Sequence, residues 1–214
     1  NYVYVAFCVE NVEGALSGMR ALPGFRGMSV TIPHKEAVMP YLDEIDPLAR
    51  HVGCVNTITN EAGRLRGSIT DGIGTLRAFA GAGVALEGKR VLFVGAGGAV
   101  RAVAFAMAEQ SRPAAVTLLG RTRSRVETLA RDLREASDTP VFAGDMKADI
   151  ARAMAEHDVV VQGTPMGMVG HETESSSVPV ELLRPEQVVF DMVYRPLKTR
   201  LITERRPALL IQTS

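Results

Sequence analysis

"KRVLFVGAGGAVRAVAFAMAE", residues 89–109, decides the fold. Arg90 to Val94 is a nearly continuous apolar run suited to a strand buried on both faces, Gly95 to Ala99 is a glycine-rich turn, and the remainder carries small and apolar residues at helical spacing. A strand, a glycine turn and a helix in that order make the setting a dinucleotide needs. Gly95 permits the tight turn. Gly97 and Gly98, flanked by Ala96 and Ala99, let backbone N–H groups approach a pyrophosphate, and the positive end of the following helix favours the anion. Val100 stands where the third glycine of GxGxxG would be.

Working downstream, further strands are expected at 115–119, 140–143, 158–162 and 187–191, with helical segments between the first of them. That alternation predicts an α/β, Rossmann-like doubly wound parallel sheet. Ligands of such sheets lie beyond the carboxyl ends of the strands, and Gly95, Gly120, Thr164 and Tyr194 all fall there. The second strand leads into "GRTRSRV", residues 120–126. A cofactor with a free ribose 2′-hydroxyl meets an acidic residue near this position, whereas Arg121, Arg123 and Arg125 offer guanidinium groups that suit a 2′-phosphate. The expected cofactor is therefore NADP.

Upstream, the pattern predicts a strand over 2–9, a helix over 12–22, a strand over 28–32, short helices to Val52, and a hairpin of 55–60 with 64–70 around "NEAG". The helix-like "DGIGTLRAFAGAG" ends in glycines, which puts the expected boundary near residue 83: a substrate domain over 1–83, the nucleotide domain over 84–198, and a closing segment over 199–214. In "VTIPHKEAV", residues 30–38, Pro33 stops a strand and suits a helix's first turn, so Lys35 would project from a strand end. By position alone, Asp71 reads as a helix N-cap and Asn56 as a buried amide satisfied by backbone.

Composition excludes several classes. Lys+Arg and Asp+Glu both number 24, so no overall field draws the chain to nucleic acid or an anionic membrane. Cys8 and Cys54 lack CxxC spacing and the four histidines are scattered, which predicts neither a disulfide nor a metal site. No apolar run approaches a membrane span and the N-terminus lacks a basic stretch followed by an apolar core and a cleavage site, so the expectation is a cytoplasmic protein; a monomer or homodimer is expected.

Taken together, "VTIPHKEAV", "VNTITNEAGRLRGSITDGIG", "VLFVGAGGAVRAVAFAMA", "GRTRSRV", "GTPMGM" and "DMVYRPLKT" resemble the shikimate dehydrogenase family, in order and over nearly the whole chain. The resemblance implies that Lys35 and Asp71 form the catalytic pair and that Thr31 and Asn56 hold ring hydroxyls. It also implies that Thr164, Met168, Met192 and Tyr194 approach the nicotinamide side, with Tyr194 touching substrate, and that Arg121, Thr122 and Arg125 meet the adenosine phosphate. The implied reaction is reduction of 3-dehydroshikimate by NADPH, on the route to chorismate and aromatic amino acids. A quinate or aminoshikimate dehydrogenase, or a nucleotide-sensing module without turnover, is the alternative. Ser29, Ile69, Gly120, Gln162 and Arg195 depart from the family's usual residues. The family also begins with a further strand and a serine-containing segment, so the chain reads as lacking its N-terminal part. The closing segment is expected to return to the substrate domain, where Gln212 would contact substrate if "ALLIQ" belonged to a last helix.

Overall fold

A four-stranded sheet organises the first seventy residues. The computed structural model describes residues 2–31, 33–203 and 209–212, divided into one unit of residues 1–70 and a second of 71–214. In the first unit α1 (Val12–Arg20), β1 (Gly27–Ser29), β2 (Glu44–Ile45), α2 (Pro47–Val52), β3 (Thr57–Glu61) and β4 (Arg64–Ser68) follow one another, and the strands assemble as β1-β3-β4-β2. Asn11 caps α1 by accepting from the Gly14 amide, and Asp46 caps α2, whose first residue is Pro47. The expected hairpin forms between β3 and β4, its turn residues Ala62 and Gly63 both at positive φ (54° and 88°). Ile58, Leu65, Val55 and Val52 are buried beneath it.

Two expectations fail in this unit. No strand forms over 2–9: Tyr2 to Cys8 are exposed, and among the described residues nothing pairs with them. Alternating apolar residues favour an extended chain only when a neighbouring strand takes up their backbone groups. The strand over 28–32 shortens to Gly27–Ser29, and turns instead of a helix follow Pro33.

The second unit comprises α3 (Asp71–Gly81), β5 (Arg90–Val94), α4 (Gly98–Gln110), β6 (Ala115–Gly120), α5 (Arg123–Ala136), β7 (Val141–Asp145), α6 (Met146–Glu156), β8 (Val159–Gln162), β9 (Val188–Asp191), α7 (Arg200–Thr203) and β10 (Leu209–Gln212). Its strands run parallel in the order β10-β9-β8-β5-β6-β7. Leu92, Val94, Leu119, Val160 and Val189 form a core with Ala153 and Met154 of α6. Alternate residues point to the opposite face, where Phe190 meets Phe79 of α3 at 5.3 Å between ring centres. Strand order reverses between β5 and β8, so this sheet has its switch point there.

The boundary near residue 83 moves to 70/71, because α3 packs on the second unit. A Cβ on Gly72 would lie 2.5 Å from the Ala106 Cβ and 2.6 Å from the Ala102 carbonyl oxygen, so glycine lets α3 settle against α4. Residues 209–212 lie in the second unit. Their apolar run adds β10 beside β9, with Gln212 opposite Asp191.

Candidate functional site

The glycine turn after β5 sits at the switch point. Gly95 has φ +118°, a conformation open to glycine, and donates its amide to the Leu119 carbonyl at 2.7 Å. A Cβ there would stand 3.0 Å from the Gly163 carbonyl oxygen, and a Cβ on Gly163 would collide with Val100 of α4. Glycines therefore bring the ends of β5 and β8 together over the start of α4. Among the described residues, nothing lies within 4 Å of where a Cβ on the exposed Gly97 or Gly98 would be, and no side chain caps the Gly97 end of this 13-residue helix. Such a helix end, with uncapped N–H groups and no Cβ in front of them, fits a pyrophosphate.

At the end of β6, Arg121, Thr122 and Arg125 are exposed, and among the described residues neither Arg121 nor Arg125 enters an ion pair. Arg123 differs, since its guanidinium donates to Glu127 one turn along α5 at 2.7 Å. That hydrogen bond, with the carboxylate's charge, raises Arg123 above the ordinary arginine range. The three-arginine reading therefore narrows to Arg121 and Arg125. Arg125 and Ser124 border a cavity of about 260 Å³ with Ala96 and Arg101. Arg101 donates to Asp132 at 2.8 Å and lies 4.9 Å from the Phe105 ring centre, which joins α4 to α5. Against the opposing pull of burial, hydrogen bonds from Arg101 and Arg131 hold the Asp132 carboxyl below its ordinary range.

The ends of β8 and β9 carry two buried polar residues opposite one another, Gln162 and Asp191. The Gln162 side chain accepts from the Thr164 amide (2.8 Å) and hydroxyl (2.9 Å) and donates to the carbonyls of Thr164 (3.0 Å) and Met166 (3.1 Å). Asp191 accepts from the Val193 amide at 3.0 Å and the Thr199 hydroxyl at 2.6 Å, and burial raises its carboxyl above the ordinary range despite those donors. Met168 and Met192 are half-buried in the two loops that follow, and Tyr194 is exposed. The Val169 amide donates to the Arg195 carbonyl at 2.9 Å, which ties the loops together. Sequence reasoning noted Gln162 only as a departure from a family pattern. Its signal was an amide closing the otherwise apolar strand "VVVQ".

In the first unit Lys35 is half-buried within the turns after Thr31, and its carbonyl accepts from the Val55 amide at 2.8 Å. Thr31 is exposed. The Asn56 side-chain oxygen accepts from the Thr57 hydroxyl (2.9 Å), the Thr70 amide (3.1 Å) and the Thr70 hydroxyl (3.2 Å), more than the backbone satisfaction expected of it. Asn56 thereby fixes the residue before Asp71. Asp71, half-buried, is the first residue of α3 and not the cap before it, and its carbonyl accepts from the Thr75 hydroxyl at 3.1 Å. Gln212 lies in β10, so the condition for its substrate contact, membership of a last helix, is not met. Among the described residues no acidic, histidine or cysteine group suits a metal ion.

Two family models match the chain. One, described as shikimate dehydrogenase substrate binding domain, covers residues 1–58, and the other, shikimate / quinate 5-dehydrogenase, covers residues 78–191. A shikimate dehydrogenase (NADP(+)) of Symbiobacterium thermophilum is 48% identical over 98% of the chain and 72% of its own length. Its counterpart in Moorella thermoacetica is 44% identical over 96% of the chain and 70% of its own length. Among solved structures, the shikimate 5-dehydrogenase of Listeria monocytogenes in complex with shikimate and NAD superposes with a TM-score of 0.91 at 32% identity, covering 99% of the chain and 76% of that structure.

Proposed function

The chain belongs to the shikimate dehydrogenase family, and from that premise we propose that it reduces 3-dehydroshikimate to shikimate with NADPH, on the route to chorismate and aromatic amino acids. The observation that carries the cofactor half is the uncapped, glycine-lined N-terminus of α4 at the switch point, with Arg121 and Arg125 exposed at the end of the neighbouring strand. Gly95, Ala96, Gly97, Gly98 and Ala99 cradle the pyrophosphate. Arg121, Thr122 and Arg125 take the 2′-phosphate, for which guanidinium forks are the matching donors. The loops holding Thr164, Met168 and Met192 form the nicotinamide side, and Tyr194 approaches the substrate.

When bound, NADPH supplies the hydride. Negative charge then develops on the ketone oxygen, which needs a cation to stabilise it and a proton to finish the alcohol. The Lys35 ammonium does both. The Asp71 carboxylate orients that ammonium, solvent restores the proton that Lys35 gives up, and in the reverse direction the pair withdraws the hydroxyl proton. Asn56, whose side-chain oxygen is held by Thr57 and Thr70, and the Thr31 hydroxyl take the ring hydroxyls of the substrate. The curated relatives do not favour quinate, aminoshikimate or a module without turnover. The reading extends to a cytoplasmic monomer or homodimer without nucleic-acid partners. It is supported by the balanced charge and by the finding that, among the described residues, no helix is long and apolar enough to cross a membrane.

The test is absorbance at the NADPH band with 3-dehydroshikimate, and in reverse with NADP⁺ and shikimate, quinate or aminoshikimate. Oxidation of NADPH by 3-dehydroshikimate, with shikimate preferred in reverse, is expected. Turnover of quinate alone, or of nothing while NADPH binds, would contradict it.

A further inference from the structure

We infer that Gln162 and Ser177 are positioning residues that clamp the loop expected to face the nicotinamide, acting through the hydroxyl of Thr164. The inference rests on reading the ends of β8 and β9 as the nicotinamide side. Gln162 is 1% exposed, and its amide makes four hydrogen bonds, all to the loop of residues 164–166, which folds around it. The Thr164 hydroxyl gives its single proton to the Gln162 oxygen at 2.9 Å. The 2.6 Å contact between the hydroxyls of Thr164 and Ser177 must then be donated by Ser177. The Met166 amide also donates to Thr164 at 3.3 Å, so this hydroxyl has its proton and its lone pairs engaged within the protein.

Two consequences follow from that accounting. Thr164 has no hydroxyl proton to offer a cofactor, and serves the site by fixing the backbone of 163–166. That backbone is under tight constraint elsewhere, since Gly163 is pressed against Val100 at the start of α4, and its Cβ position lies 3.2 Å from the Met192 sulfur. The second consequence concerns the segment of residues 172–179. Ser177 joins that segment to the switch point, so its hydroxyl latches the nicotinamide-side loop from outside. Next to it the Ser176 hydroxyl turns back to the Val178 carbonyl at 2.9 Å, leaving Ser177 as the residue of this turn that reaches Thr164.

The test uses the whole chain and two ligands, NADPH and 2′,5′-ADP, which keeps the adenosine phosphates and lacks the nicotinamide. Ser177→Ala should weaken NADPH about fivefold, the loss of one hydrogen bond, and leave 2′,5′-ADP unchanged. Ser177→Thr, which keeps the hydroxyl, should restore the parent value. Gln162→Ala removes both ends of the clamp's centre and should weaken NADPH about thirtyfold on the same ligand-selective pattern. If Gln162→Ala fails to fold, the Ser177 pair decides. Equal weakening of both ligands, no change in either, or a parent chain that binds neither overturns the inference. A parent that binds NADPH but leaves 3-dehydroshikimate untouched would instead overturn the proposed reaction and leave the clamp standing.

Discussion

The two sheets of this protein are built for different work. In β5 the four residues after Arg90 are wholly buried, and β8 is buried throughout, because helices cover both faces of the parallel sheet. In β1, by contrast, none of the three residues is buried, and among the described residues the strand has a partner on one side alone. A sheet that is covered on both faces holds its strand ends in fixed register, which suits the rigid recognition of a cofactor common to many enzymes. A small sheet with exposed ends leaves polar side chains such as Thr31 and Lys35 on turns, where substrate chemistry can be varied with little cost to the core. On the proposed function, Lys35 in the turns of the first unit and Asp71 at the start of α3 carry the proton chemistry, and the ends of β5 and β6 take the phosphates.

A large effect that would break this division is expected at Asp71. Asn keeps a side-chain oxygen in the first turn of α3, so Asp71→Asn should melt within a few degrees of the parent while turnover falls about a hundredfold, since an amide cannot take up a proton. Normal melting with turnover near the parent rate would make Asp71 structural.

An intermediate effect sharpens the cofactor half. Arg121→Ala combined with Arg125→Ala should weaken NADPH about thirtyfold, the loss of charge-assisted hydrogen bonds, and hardly change NADH. Parallel losses for both cofactors would remove the two arginines from the 2′-phosphate.

How much of this was legible in sequence follows the same division. The strands of the second sheet stand in the chain as uninterrupted apolar runs, and β5 forms over the expected residues 90–94. The glycine turn was legible because a tight turn and an open helix end each demand glycine. Residues 2–9 misled because alternation describes a strand's side chains and says nothing about its partner. The helical spacing of α3 was correct, but the sequence does not say which core receives it. That depends on Gly72 lying against Ala102 and Ala106, a meeting of residues some thirty apart. Gln212 misled for the same kind of reason, since "ALLIQ" suits a helix or a strand until β9 offers an edge. Lys35 and Asp71 are proposed from a resemblance between motifs; each taken alone looks like an ordinary turn lysine and an ordinary helix-start aspartate.

The smallest effect concerns the opposite end of the second sheet, away from any ligand role. His157 is 2% exposed; its Nδ1 donates to the Ala153 carbonyl at 2.7 Å, so its Nε2 accepts from the Thr117 hydroxyl at 2.7 Å and the ring is neutral. Burial pushes its pKa below the ordinary 6.5. The unfolded chain therefore binds a proton that the folded one refuses, so this residue's contribution to stability is complete above 6.5 and is lost as the pH falls through the lowered value. Asp191, whose pKa burial raises, works with the opposite sign, and the informative quantity is the difference between parent and variant. His157→Gln should flatten the fall in melting temperature on acidification below 6.5 without changing NADPH affinity. The same slope in both proteins would take His157 out of the acid response.

Lys35→Ala tests most directly whether the proton donor proposed in the first unit acts apart from cofactor binding in the second. Turnover of 3-dehydroshikimate and the Kd for NADPH should be measured on one preparation. The division predicts a fall in turnover of about a thousandfold, the scale of a lost general acid that also stabilises charge, with the Kd for NADPH unchanged. Turnover close to the parent's, or loss of NADPH binding in step with activity, would contradict it.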